Sequence, residues 1–419
     1  MRGPTNWRRA VGAVALGTLA AAAIPLAAPG ADLVPGTNAG SPGWLLGVYG
    51  DGLQIGGNAY LTALWIAFIA YLGVVASAGA LGRRVVGWAV VCGTAAFALA
   101  PPLLSLDVFS YISYARLGTL HGLNPYDFAP AAIPDDLAAS RVEDYRQATS
   151  VYGPLFTLAT YPLGLIGVPG ALWVLKAVSA LSVLGIAALV ARLAAARGIA
   201  PAPAAALVAL NPLVLVHVIG GPHNDGLMAL AVLAGIALVL GASEAGGGAS
   251  MVAGVAIKAP AALAAPFALL GARTARRRAR LLAGAAVAAA LAVGVGLAVF
   301  GTSALHGFSA FTGSQETVSY HSVPATAARI AGLDLSLTRG VLAAAYGIGV
   351  VWLLAWTARG GDWVRATAWA ALGLLCATAY LTPWYLVWAL PLVAVARDRV
   401  LVALTLALCA YQLSVAVPA

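Results

Sequence analysis

Leu281-Leu-Ala-Gly-Ala-Ala-Val-Ala-Ala-Ala-Leu-Ala-Val-Gly-Val-Gly-Leu-Ala-Val-Phe300 decides the fold of this chain. No charged or hydrogen-bonding side chain interrupts it. As a helix it extends about 30 Å, the thickness of a bilayer's hydrocarbon core. Arg276-Arg-Arg-Ala-Arg280 comes just before it, and an apolar run with a basic flank reads as a membrane helix whose arginine end stays in the cytoplasm. The rest of the chain repeats the pattern. Of its 419 residues 62% are hydrophobic and 9% charged, and the mean hydropathy is +0.92. That balance excludes a water-soluble domain. A membrane β-barrel needs alternating apolar and polar positions, which are absent. The expected fold is all-α: a polytopic transmembrane bundle of about 11–13 membrane helices, with juxtamembrane helices on the outer face. The net charge of +9 reflects where the arginines sit and does not point to nucleic acid.

Expected spans are 11–29, 58–80, 85–104, 171–195, 203–219, 226–242, 280–300, 337–357, 363–380, 385–396 and 400–418. The arginine clusters are Arg2/Arg8/Arg9, Arg83/Arg84, Arg192/Arg197, Arg273–Arg280, Arg359/Arg365 and Arg397/Arg399. All fall on one side if the apolar segments 152–168 and 250–271 do not cross. The first is then an outer juxtamembrane helix, and the second a cytoplasmic hairpin broken at Lys258-Ala-Pro260. If both cross, 169–249 inverts and Asp225 moves to the cytoplasm. Under the preferred topology this multi-pass plasma-membrane protein has a cytoplasmic N-terminus and an outer C-terminus, with Lys176 and Lys258 embedded. Asp32, Asp51, Asp107, Asp127, Asp135, Asp136, Glu143, Asp144, Asp225, Glu316 and Asp334 then face outward. Acids barely influence orientation, so their bias is a separate sign that chemistry sits outside. The N-terminal Arg2–Ala31 stretch resembles a secretory signal but reads better as a retained first helix. Cys92, Cys376 and Cys409 lie in apolar runs and read as small core residues. One integral membrane domain, 1–419, is expected, with outer loops 105–150 for catalysis and 301–336 for donor and acceptor, and no soluble domain.

Four polar clusters stand out. In a helix starting at Asp107, the residues Asp107, Ser110, Tyr111 and Tyr114 share one face. Phe109, Ile112 and Leu117 would then meet the bilayer interface, and Asn124-Pro-Tyr126 would turn the chain. A carboxylate at the end of a membrane helix is costly unless it meets water, a partner or a substrate; the alternative is a helix cap. In Gly220-Gly-Pro-His-Asn-Asp225, the side chains of His223, Asn224 and Asp225 converge, with His217 two turns earlier. A polar pocket is the expectation there rather than a metal site. Gly313-Ser-Gln-Glu-Thr-Val-Ser-Tyr-His-Ser-Val-Pro324 contributes Tyr320 and His321, and Arg329 and Arg339 follow. These arginines either bind a lipid phosphate or pair with Asp334 or Glu316. Tyr380-Leu-Thr-Pro-Trp-Tyr385 contributes Trp384 and Tyr385, which an interfacial aromatic belt explains without function; aromatic faces also stack on sugars. Lys258 is an intramembrane charge that snorkels to the cytoplasmic surface in this reading, outside the chemistry.

Asp107-Val-Phe-Ser-Tyr111 with Gly122-Leu-Asn-Pro-Tyr126, Tyr152-Gly-Pro-Leu-Phe156, His223-Asn-Asp-Gly-Leu-Met228 and Thr382-Pro-Trp-Tyr-Leu-Val-Trp388 resemble, in this order, the actinobacterial polyprenol-phosphate-mannose-dependent α-1,6-mannosyltransferases. The resemblance covers roughly residues 85–400. It implies a GT-C fold, a lipid-linked mannose donor, a mannan or lipomannan-type glycolipid acceptor, and inverting transfer on the outer face forming an α-1,6 linkage. Asp107 falls on the family's expected general base. His223 to Asp225 fall on a motif that lines the site.

In this reading Asp107 accepts the acceptor's hydroxyl proton. Arg329 or Arg339, with Arg116 as a further candidate, stabilises the departing phosphate. Membrane lipid is the remaining expected partner, and no metal or cofactor is expected. Alternatives are a polyprenyl-phosphate pentose (arabinose) donor, a lipid or sugar transporter or flippase, and a noncatalytic scaffold. A transporter holds its charges near the bilayer midplane on broken helices within inverted repeats; here the acids gather at one face and no repeat is evident.

Overall fold

The computed structural model describes residues 4–27, 55–142, 145–305 and 318–415. Asp32, Asp51, Glu143, Asp144, Glu316, Ala28–Ala31 and the Gly313–Thr317 part of the third cluster lie outside the described residues. Among those described, the structure is helical with no strand. Trp7–Ala27, Gly57–Leu81, Gly167–Ala196, Ala275–Leu305 and Leu335–Ala358 are each long and apolar enough to cross a bilayer. Pro201–Ala209 and Val214–Gly220, bent by 60° about Asn211-Pro212, form a sixth such segment if taken as one. Other expected spans are shorter helices: Asp225–Leu240, Trp363–Ala377 and Arg399–Leu413, while Pro383–Ala394 is interrupted by Pro391. The breaks have a common cause. Proline removes an amide donor and clashes with the preceding turn, so freed backbone groups must find partners within the protein.

The arginine-rich ends of these helices meet one another. Arg197 pairs with Asp362, Arg365 with Asp398 at 2.8 Å, and Arg277 with Glu244 at 2.5 Å. Arg273 donates to the Gly360 carbonyl at 2.9 Å. Asp225–Leu240 links this end to the candidate site: Arg277 donates to the Val239 carbonyl at one end, and Asp225 opens the other, about 20 Å away.

The segment 250–271 breaks near Lys258. Glu244–Val255 ends there, a 3-10 turn covers Ala259–Leu263, and Ala264–Gly271 follows. The segment 152–168 is a short helix, Pro154–Thr160, continued by a 3-10 turn over Tyr161–Leu165. It packs on Asp107–His121. That packing corrects one expectation: Phe109, Ile112 and Leu117 are buried inside the protein instead of facing lipid. Leu120 is the large apolar side chain this helix leaves exposed. Of the cysteines, Cys409 is buried, Cys376 half-buried and Cys92 exposed, so the core reading holds for Cys409 alone.

Candidate functional site

Asp107 is the first residue of its helix, and Leu106, which has no capping side chain, holds the cap position. The backbone reaches it through Leu104, a non-glycine residue at φ 54°, a conformation kept only where its surroundings enforce it. Two contacts do so here. The Leu103 amide donates to the Gly220 carbonyl at 3.1 Å, and the Asp107 amide donates to Ser105 Oγ at 3.3 Å. The carboxylate faces His223, with Nδ1 to Oδ2 at 3.4 Å. Burial opposes ionisation of Asp107; His223, with Lys258 further off, outweighs it and holds the carboxyl below the ordinary carboxylate range.

Gly220 and Gly221 explain how the second cluster comes so close. A Cβ on Gly221 would stand 2.6 Å from the Leu103 carbonyl oxygen, so only glycine lets 220–225 lie against 101–104. Beneath this junction the fully buried Lys176 donates to the carbonyls of Gly220 at 2.9 Å and of Pro101 and Ile219 at 3.4 Å. Its ammonium thereby ties together the two stretches that carry Asp107 and His223. The His223 ring stacks on Trp384, with ring centroids 3.9 Å apart.

Asp225 turns away from Asp107 and toward Lys258. The ammonium donates to both carboxylate oxygens at 2.8 Å, and Trp388 Nε1 donates to Oδ1 at 2.6 Å. Lys258 also stands over the Tyr385 ring, 5.0 Å from its centroid. The ammonium thus turns inward to Asp225 instead of snorkelling to the cytoplasmic surface. The local reason is Gly153. Its amide donates to the Ile257 carbonyl at 3.0 Å, and the Leu155 amide to the Ala256 carbonyl at 3.0 Å. The Tyr152-Gly-Pro-Leu-Phe156 stretch thus docks directly on the hairpin break and sets the lysine's position.

These groups enclose a cavity of about 390 Å³, within the range of roughly 300–1,000 Å³ usual for small-molecule sites. Its polar lining comprises Asp107, Ser110, Tyr114, Tyr145 and Lys258, and its aromatic lining includes Trp384, Tyr385 and Trp388. Its apolar lining includes Ala343, Tyr346, Leu374 and Ala377, the first two carried on the membrane-length helix Leu335–Ala358. Behind this lining, Tyr111 Oη, both ring nitrogens of His217 and the amide of Asn224 are buried without a protein partner. The aromatics of the fourth cluster therefore belong to the cavity and its wall rather than to an interfacial belt. Among the described residues, no group of three or more His, Cys, Asp or Glu is placed to hold a metal ion.

The remaining expected site residues lie elsewhere. Arg116 is engaged with the buried Asp136 at 2.8 Å, and His121 approaches the same carboxylate at 3.2 Å. Asn124 donates to the Phe300 carbonyl at 2.8 Å, and Tyr126 to the Tyr152 carbonyl at 2.8 Å; both brace the turn after the Asp107 helix. Arg329 lies 3.8 Å over the exposed Tyr320 ring and donates to the Tyr320 carbonyl at 2.9 Å. The His321 carbonyl accepts from Tyr411 Oη at 3.0 Å. The cluster reaches the cavity wall through Ser319, which donates to the Leu381 carbonyl at 3.0 Å. Arg339 stands one turn before Ala343 on the helix Leu335–Ala358. Lys258, Tyr145, Tyr152, Tyr346 and Trp388 also line the cavity and are not among the site residues expected from sequence. Lys258 carried a signal as a charge inside an apolar run, and Tyr152 and Trp388 fall in stretches that carry the family resemblance.

The described helices form a membrane bundle around this pocket, and the chain matches glycosyltransferase family 87, a family of GT-C membrane glycosyltransferases, over residues 151–417. It also matches the family described as alpha-(1->6)-mannopyranosyltransferase, N-terminal domain, over residues 14–276, more than half its length; the chain belongs to that family. It is 33% identical over 226 residues to alpha-(1->6)-mannopyranosyltransferase A of Mycobacterium tuberculosis, covering 50% of this chain and 42% of that protein. It is 32% identical over 164 residues to alpha-(1->6)-mannopyranosyltransferase A of Corynebacterium glutamicum, covering 38% of this chain and 33% of that protein. The chain thus spans less than half the length of these curated relatives. No solved structure matches it.

Proposed function

We propose that this protein is an inverting mannosyltransferase that moves mannose from a polyprenyl-phosphate-mannose donor to a hydroxyl of a mannan-type glycolipid, forming an α-1,6 linkage on the outer face of the membrane. The observation that carries the reading is Asp107: a carboxylate held ionised beside His223, opening into a 390 Å³ cavity with aromatic and apolar lining. The acceptor hydroxyl gives its proton to Asp107 as its oxygen bonds to the anomeric carbon. The anomeric carbon–phosphate oxygen bond breaks on the opposite face, and polyprenyl phosphate departs. A β-linked donor gives an α-linked product. Phosphate is already a good leaving group, so acid catalysis is not required. The outer-face placement is supported by the arginine-rich helix ends, of which Arg277 lies at the far end of Asp225–Leu240, about 20 Å from Asp225.

The test is transfer by purified protein in nanodiscs from radiolabelled polyprenyl-phosphate mannose to short α-mannosides, with linkage analysis of the product. An α-1,6-extended oligosaccharide is expected. Transfer of no sugar from that donor, or preferential use of a pentosyl donor, would overturn the reading.

A further inference from the structure

We infer that Lys258 is the seat of the donor's phosphate and that Asp225 is the lysine's counterion rather than a second base. The inference rests on the proposed lipid-phosphate donor. It replaces Arg116 and Arg329 as phosphate ligands, since neither lines the cavity and they bind Asp136 and Tyr320 instead. Lys258 is the cationic side chain lining the cavity that also holds Asp107. An ammonium has three N–H groups. Two point to Asp225 Oδ1 and Oδ2, and one remains for a ligand.

Asp225 is unsuited to take a proton from substrate. It is fully buried, and its oxygens already accept from Lys258 and Trp388 Nε1. Its geometry serves to hold the ammonium against the cavity, where the faces of Tyr385 and Trp388 flank it. Asp107 instead meets His223 and lines the cavity. The two carboxylates therefore have separate tasks.

The shape of the cavity defines the ligand class. Besides Lys258 and the polar side chains, the cavity is lined by Ala259, Leu374, Ala377, Ala343 and Tyr346. Leu335–Ala358, which carries the last two, presents Ile348, Val351 and Trp352 to the exterior, as a lipid-facing helix does. An anion with a long apolar chain suits this mixed lining: phosphate on the lysine, chain along the apolar side chains toward the helix Leu335–Ala358. During transfer the phosphate goes from a singly charged diester to a more highly charged monoester. A fixed cation at its oxygens then stabilises the transition state more than the ground state.

The experiment measures binding of mannose-free polyprenyl phosphate to nanodisc-embedded full-length protein, with the uncharged polyprenol and inorganic phosphate as parallel ligands. Lys258→Met should weaken polyprenyl phosphate at least tenfold, as expected for losing a hydrogen bond to a charged group. Polyprenol should bind both proteins alike, and inorganic phosphate should not compete at micromolar concentration. Lys258→Arg should restore affinity to within a few-fold. Asp225→Asn should retain binding, because the ammonium keeps an acceptor and loses a competing charge. Equal affinity of wild type and Lys258→Met for polyprenyl phosphate would overturn the seat; so would an equal loss for polyprenol. A tenfold loss in Asp225→Asn would overturn the counterion role. If Lys258→Met does not fold, Lys258→Gln is read with the same threshold. Lysine-dependent binding without mannosyl transfer would sink the proposed function and leave the seat standing. Transfer with a donor KM indifferent to Lys258 would do the reverse.

Discussion

Gly153→Ala probes how the backbone positions chemistry without touching substrate. A Cβ at 153 would lie 2.2 Å from the Ala256 carbonyl oxygen, 2.4 Å from its carbon and 3.0 Å from its Cα. All three are backbone atoms, so no side-chain rotation relieves the clash. Ordinary contact begins at 3.4 Å, so the 256–258 backbone must retreat by about 1 Å, and Lys258 goes with it. A misplacement of that size in a catalytic constellation costs on the order of 100-fold in rate. Resisting the shift instead costs about 1–3 kcal/mol of stability, as for other overpacked sites. The assay is kcat/KM for the donor in nanodiscs, with a melting curve on the same preparation. Gly79→Ala is the control: a Cβ there meets nothing within 4 Å, so kcat/KM should stay at the wild-type value and the melting temperature at or above it. A Gly153→Ala protein with kcat/KM within threefold of wild type and an unchanged melting curve would refute the claim that this contact sets the lysine.

Three further outcomes are expected. Because Asp107 is held below the ordinary carboxylate range, the base stays ionised as pH falls, so kcat/KM should be flat from pH 8 to about 5 and decline only below about pH 4; an acid limb near pH 6–7 would contradict this. Lys176→Met removes the donor shared by three carbonyls, so the melting temperature should fall by the equivalent of about 1–3 kcal/mol, with kcat falling alongside; a stable, fully active variant would exclude the tie between the Asp107 and His223 stretches. Arg329→Ala should leave donor and acceptor KM unchanged, and a raised donor KM would return that arginine to the site.

The membrane bundle was legible because its signal, long uncharged runs flanked by arginine, is local. Asp107, His223 and the Trp384-Tyr385 pair were legible for the same reason: each is polar or aromatic where the chain is otherwise apolar. The surface helix was misread because a lipid-facing and a protein-facing surface are equally apolar in a membrane protein. Phe109 and Ile112 carry no mark of which they meet. Lys258 was visible as a costly charge, but its partner is 33 residues away across a hairpin. Its placement depends on Gly153, a hundred positions earlier, so no spacing rule links them. Arg329 misled because its exposed partner, Tyr320, satisfies it locally.

Asp107→Asn removes the carboxylate that takes the acceptor's proton. Asparagine keeps the size and the hydrogen-bonding reach toward His223 but does not accept a proton at neutral pH. Single-turnover transfer from bound polyprenyl-phosphate mannose should fall by at least 100-fold, the usual share of general base catalysis, while affinity for polyprenyl phosphate stays within a few-fold of wild type. Turnover by Asp107→Asn within a few-fold of wild type, at equal donor occupancy, would contradict the account.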